Sequence, residues 1–180
     1  MRRTTVLAAL AAALVFALAA GVAPAERFGG TSGNDNIYGT DRADTIRGRG
    51  GEDRITGKRG DDLIDAGPGN DPEAYGSYGV DEVRGGTGAD DLYGGSGEGG
   101  GDILRGKDGD DQLDGSVGPD RLDGDGDDTI HAGTSLMEDE WGEPDGQVDR
   151  IACGPGRNDV AWFGRGEDRV ADDCETKRAY

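Results

Sequence analysis

The chain is poor in the side chains on which most catalysis and most ordinary folding rest. Of its 180 residues one is histidine and two are cysteine, which leaves little for zinc or copper, metals that favour imidazole and thiolate. No G-x-S-x-G, no H-E-x-x-H and no Cys/His pair occurs, so nucleophilic and zinc-hydrolase chemistry lack a footing. Large apolar residues are few, too few for an ordinary globular core. Basic residues are outnumbered, 19 against 38 acidic. The resulting charge of −19 disfavours DNA, RNA and anionic membranes and favours cations.

Glycine and aspartate fill the gap, but a leader must first be set aside. Arg2 and Arg3 precede an unbroken apolar run from Val6 to Ala20, and Ala23-Pro24-Ala25 has the small-residue pattern of a cleavage site. The run is shorter than the roughly 20 residues of a membrane-spanning helix. The order predicts a secretory signal peptide over residues 1–25, cut after Ala25. Without Arg2 and Arg3 the mature chain carries 17 basic and 38 acidic residues.

Composition alone, with 36 glycines, would suggest disorder. The periodicity argues otherwise. "GTSGNDNIYG" from Gly30, "GRGGEDRITG" from Gly48, "GGTGADDLYGG" from Gly85, "GKDGDDQLDG" from Gly106 and "GSVGPDRLDG" from Gly115 are near-copies. They align as nine-residue units with Gly at position four, Asp at six and an aliphatic residue at eight. The sixth-position acids are Asp35, Asp44, Asp53, Asp62, Asp71, Asp81, Asp90, Asp102, Asp111, Asp120 and Asp128. Two residues earlier stands Gly in every unit but the second, which has Arg42. Two residues later stands Ile, Leu or Val in every unit but one, where Glu73 breaks the column. A flexible Gly/Asp linker would keep no such offset.

A repeat of this length predicts a solenoid. Positions seven to nine form a short strand with the middle side chain inward, and the other six residues form a glycine-dependent turn. Two units make one coil, so stacked coils bury the aliphatic column between two parallel sheets. The aspartates then fall into two ladders. One holds Asp35, Asp53, Asp71, Asp90, Asp111 and Asp128, the other Asp44, Asp62, Asp81, Asp102 and Asp120. Carboxylates about 5 Å apart repel by roughly 3 kcal/mol at an effective dielectric near 20, and a divalent cation between rungs would reverse the sign. The available ligands are hard oxygens, from carboxylates and turn carbonyls, which suit several Ca2+ ions better than Mg2+. The sole histidine, His131, reads as an exposed strand-end residue.

"GGTGADDLY" resembles the G-G-x-G-x-D-x-U-x nonapeptide of the repeats-in-toxin (RTX), or haemolysin-type calcium-binding, family. The resemblance covers about Gly30 to His131. It implies an all-β fold, a parallel β-roll (a right-handed β-solenoid), with calcium held between adjacent turns. The sixth-position aspartates would be ligands, assisted by turn carbonyls. Three departures stand out: Arg42 in a turn, Pro72 and Glu73 interrupting the strand after Asp71, and a Gly97–Gly101 insertion distorting the turn at Asp102. Many members leave diderm bacteria through a C-terminal signal, whereas this chain carries an N-terminal one.

The expected organisation is a leader (1–25), a calcium-binding roll (26–131), an inserted loop (132–146), and degenerate repeats with a cap (147–180). In the last segment Asp149, Asp159 and Asp168 keep a weak register. Cys153 and Cys174 bracket it, and in a secreted chain two cysteines most simply form one disulfide. Trp141 and Trp162 are expected to pack in this cap. The expectation is a secreted, non-enzymatic protein that binds calcium and folds as it does so. An alternative is an adhesion module, since position nine faces outward with Tyr38, Arg47, Arg84, Tyr93 and Arg105 and would meet an extracellular polysaccharide. The lesser alternative is glycan acid–base chemistry at adjacent carboxylates such as Asp90-Asp91, which the repeat register explains as ligand plus solvent-facing neighbour.

Overall fold

The computed structural model describes residues 25–96, 100–133, 148–164 and 168–179. Residues 1–24 of the expected leader, most of the expected inserted loop and Trp141 lie outside the described residues. Strands follow the nonapeptide register. In chain order they are β1 (Arg27–Gly29), β2 (Asn36–Tyr38), β3 (Thr45–Arg47), β4 (Arg54–Arg59), β5 (Leu63–Pro68), β6 (Glu73–Tyr78), β7 (Glu82–Thr87) and β8 (Asp91–Ser96). They continue as β9 (Ile103–Asp108), β10 (Gln112–Val117), β11 (Arg121–Asp123), β12 (Thr129–His131), β13 (Arg150–Ala152), β14 (Val160–Phe163), β15 (Arg169–Val170) and β16 (Thr176–Ala179). Odd strands form one eight-stranded sheet and even strands the other, each in chain order and parallel throughout. Among the described residues there is no helix long and apolar enough to cross a membrane.

The core is the aliphatic column. Ile46, Ile55, Ile64, Val83, Leu92, Leu104, Leu113, Leu122 and Ile130 are fully buried, with Ala74, Ile151 and Ala161 continuing the line. The one break expected in that column does not occur. Ala74, not Glu73, pairs with Ile55 and Leu92, because Pro72 is an extra residue at the end of the turn. Shifting the strand start by one restores the alternation, since a one-residue offset exchanges the two faces. Strand β6 therefore runs uninterrupted, contrary to the disruption expected at Pro72 and Glu73.

The strands are also longer than three residues. From β4 to β10 each spans six, through position three of the next unit, so the turn shrinks to three residues. A kink at position two makes this work: Arg49, Lys58, Ser77, Lys107, Ser116 and Asp125 all have positive φ there, as do Gly67, Gly86 and Gly95. Ser77 (φ 85°) lies in register with Gly95 (φ 114°). A side chain in this region costs roughly 1–2 kcal/mol, and the entropy glycine adds to the unfolded chain offsets about 0.4–1 kcal/mol of that. Ser77→Gly is therefore expected to stabilise the roll by about 0.5–1 kcal/mol. Gly95→Ala, whose Cβ would overlap the Ser77 carbonyl, is expected to destabilise it by more. Thermal melts in calcium check both signs.

The C-terminal coils continue both sheets and are tied by the expected disulfide between Cys153 and Cys174, with Cα atoms 5.1 Å apart. Closing a loop of 21 residues contributes about 3 kcal/mol in the chain-entropy account. At the last coil Lys177 pairs with Ala161 in the inward column and bonds Asp172 at 3.5 Å. A charged residue in that position ends the stack, because another coil would bury it. Trp162 packs in this cap as expected, on its outer face. Ala161 points inward, so its neighbour points out, and Trp162 stacks on His131 with Arg178 above it. His131 is thereby half-buried rather than exposed, and its burial lowers its pKa.

Candidate metal centre

Each turn places its aspartate at position six, directly before the strand, so the side chain projects along the edge of the stack. The two ladders form as the register requires. The backbone N–H of Asp35 donates to Asp53 Oδ1 at 2.8 Å, that of Asp53 to Asp71 at 2.7 Å, and that of Asp71 to Asp90 at 2.9 Å. Asp90 then donates to Asp111 and Asp111 to Asp128. On the other edge Asp44 donates to Asp62, Asp62 to Asp81, Asp81 to Asp102 and Asp102 to Asp120, all at 2.7–2.8 Å. All eleven sequence-predicted acids thus stand in the two columns expected for them. Arg42 leaves Asp44 in place, and the insertion before Asp102 leaves that residue 1% exposed and in register.

The ladders run past the last of those acids. Asp120 donates to Asp149 and Asp149 to Asp168, while Asp128 donates to Asp159, whose own N–H reaches Glu175 Oε2 at 3.1 Å. Glu175 had no signal in the sequence, because nothing in its surroundings resembles a repeat. At the other end the Glu26 N–H bonds Asp44 Oδ1 at 3.1 Å.

Successive rungs are therefore joined through a backbone N–H and one carboxylate oxygen, not face to face. The second oxygen separates the interior from the ends. Oδ2 of Asp35 takes the N–H and hydroxyl of Thr31, Oδ2 of Asp44 those of Thr40, and Oδ2 of Asp128 the N–H of Gly126. In the interior, Oδ2 of Asp53, Asp62, Asp71, Asp81, Asp90, Asp102 and Asp111 is buried without a hydrogen-bond partner, as is that of Asp159. A buried carboxylate oxygen without a donor costs several kcal/mol unless it is protonated or bound to a cation.

Six of these oxygens, on Asp53, Asp62, Asp81, Asp90, Asp102 and Asp111, face the glycine that opens their own unit. A Cβ on Gly94 would sit 2.5 Å from Asp102 Oδ2 and 2.8 Å from the Gly115 carbonyl of the next coil. At Gly85 it would meet Asp90 Oδ2 and, at 2.8 Å, the Gly106 carbonyl, and Gly76 and Gly106 repeat the pattern. The space is lined by a carboxylate and a carbonyl, both hard oxygens. Among the described residues no three His, Cys, Asp or Glu side chains converge, so any metal cage must draw on these main-chain oxygens. That donor set fits calcium, which accepts carbonyls and carboxylates in flexible number.

The electrostatics agree. Burial raises the carboxyl pKa of Asp62, Asp102 and Asp111 to about 7, and that of Asp71, Asp81, Asp90 and Asp128 to about 6. Desolvation is the largest cause at each, ahead of the repulsion from neighbouring rungs. Mutual repulsion, the problem foreseen from the sequence, is thus the smaller part of it.

The profile of the RTX calcium-binding nonapeptide repeat matches four times, at residues 29–64, 50–71, 75–98 and 96–129. The chain belongs to the RTX calcium-binding repeat family. No curated protein matches it. The RTX matches stop at residue 129, whereas the ladder of this RTX roll continues through Asp149, Asp159 and Asp168.

Proposed function

We propose that the chain is a secreted, non-enzymatic calcium-binding protein whose roll assembles as calcium fills the interior of its two ladders. The observation that carries this reading is the set of buried, unpartnered Oδ2 atoms, six of them, on Asp53, Asp62, Asp81, Asp90, Asp102 and Asp111, beside a carbonyl of the next coil. Oxygens so placed are destabilising alone and become ligands when a hard cation is supplied. The leader-like residues 1–25 and the disulfide support an extracellular setting. The acids that would serve glycan hydrolysis are accounted for by the ladder: Asp90 is a rung, and Asp91 opens β8 with its side chain on the outer face.

The interior and terminal rungs give the test its contrast. Asp90→Ala removes an orphaned oxygen from mid-ladder and is expected to lower the calcium stoichiometry by at least one ion. Asp35→Ala removes a carboxylate whose Oδ2 is already held by Thr31, and the stoichiometry is expected to be unchanged. Isothermal titration of both variants in parallel decides it; equal stoichiometry in wild type and Asp90→Ala rejects the reading.

A further inference from the structure

Alternate units feed opposite sheets, and this sorts the outward residues into two unlike faces. The even-strand face carries Tyr38, Tyr75, Tyr93 and Trp162, the odd-strand face most of the arginine. The even face offers no flat platform. Tyr75 and Tyr93 meet edge to face at 80°, and the His131 and Trp162 rings stack on one another, so these rings satisfy each other across strands.

The odd face is different. Arg121, Arg150 and Arg169 occupy the same outward position on β11, β13 and β15, in direct register. All three are exposed, and consecutive coils are about 4.8 Å apart. Like charges directly opposite in a sheet are destabilising. Two coils earlier the same sheet shows how such charge is normally met: Glu82 pairs with both Arg84 and Arg105. Among the described residues no carboxylate pairs with Arg121, Arg150 or Arg169. In a chain of net charge −19, a column of three adjacent arginines is a local exception.

We propose that this arginine column is a binding surface for an anionic polysaccharide lying along the roll axis. Guanidinium groups bind sulfate and carboxylate through paired N–H donors, and a column spaced by the coil repeat suits a polymer whose charges recur along its length. A thin single chain meets the arginines alone. A nucleic-acid duplex or an anionic membrane is wider than a three-residue strand and would also meet exposed turn acids such as Asp110, Asp172 and Asp173, which repel it.

The test uses the mature chain in millimolar calcium with dextran sulfate as probe and uncharged dextran as reference. Dextran sulfate is expected to bind and dextran not. The triple variant Arg121→Gln, Arg150→Gln, Arg169→Gln is expected to weaken binding at least tenfold and to flatten the salt dependence by about two units of slope. A matched variant on the other sheet, Arg54→Gln, Lys58→Gln, Arg59→Gln, is expected to bind nearly as wild type. Calcium stoichiometry and circular dichroism, read on both variants, separate loss of the surface from loss of the fold and leave the calcium assignment independent. Equal affinity and slope in wild type and the first triple variant overturn the proposal. So does duplex DNA binding as well as dextran sulfate through the same arginines, which would make the column a nucleic-acid surface.

Discussion

Removing calcium is expected to abolish the β-sheet circular dichroism signal of the mature chain at neutral pH, and restoring it to bring the signal back. The size of the effect follows from how thin the core is. Each strand contributes one residue to the aliphatic column, and several of those positions are only partly covered or alanine, among them Phe28, Ile37, Ala74, Ala161 and Val170. Against this stand the interior carboxylates, buried and without a donor on Oδ2. Each site filled at a hundred times its dissociation constant stabilises the fold by about 2.7 kcal/mol. Four such sites contribute about 10 kcal/mol, the scale of a whole domain's stability. Magnesium, with its stricter octahedron and retained water, is expected to substitute poorly. An unchanged β spectrum in excess chelator would falsify the reading.

The response to pH is expected to reverse sign with calcium. In the metal-free chain Asp62, Asp71, Asp81, Asp90, Asp102 and Asp111 have folded-state pKa values of about 6 to 7, above the ordinary aspartate value near 3.9. The folded state then holds protons more tightly than the unfolded one. Its stability is greatest at low pH and is lost as pH rises through 6 and 7. Lowering the pH of the chelated chain from about 8 to about 5 is therefore expected to induce β structure without metal. With calcium bound the ionised form is the one stabilised, and the same acidification is expected to release the ion and weaken the fold. Thermal melts across this range, with chelator and with calcium, should give two curves of opposite slope. Parallel curves would show that the carboxylates are not where the metal binds.

The repeat made the architecture legible before any coordinates. An offset of two between Asp and Ile, Leu or Val, held over about a hundred residues, leaves room for one arrangement of coil, sheet and ladder, and the columns follow by counting. What counting missed came from slips in the register. Pro72 adds a residue that only the pairing of Ala74 with Ile55 reveals. The kink at position two, which doubles strand length, is hidden because Lys58, Ser77 and Lys107 stand where glycine would have announced it. Glu175 joins the ladder by spatial accident of the last coil, with no sequence pattern to mark it. The role of Oδ2 was also out of reach, since it finds a donor where the position-two N–H turns toward it, as at Thr31, Thr40 and Gly164, and none where that residue is kinked to positive φ, as at Lys58, Ser77 and Lys107.

The disulfide between Cys153 and Cys174 divides the molecule mechanically. Under tension applied at the two termini, the covalent link carries the load across residues 154–173 and that segment cannot lengthen. Every other coil is held only to its immediate neighbours and can be drawn out singly, each 18-residue turn releasing about 60 Å of slack. The roll would thus act as a tether that yields in even steps down to a hard stop.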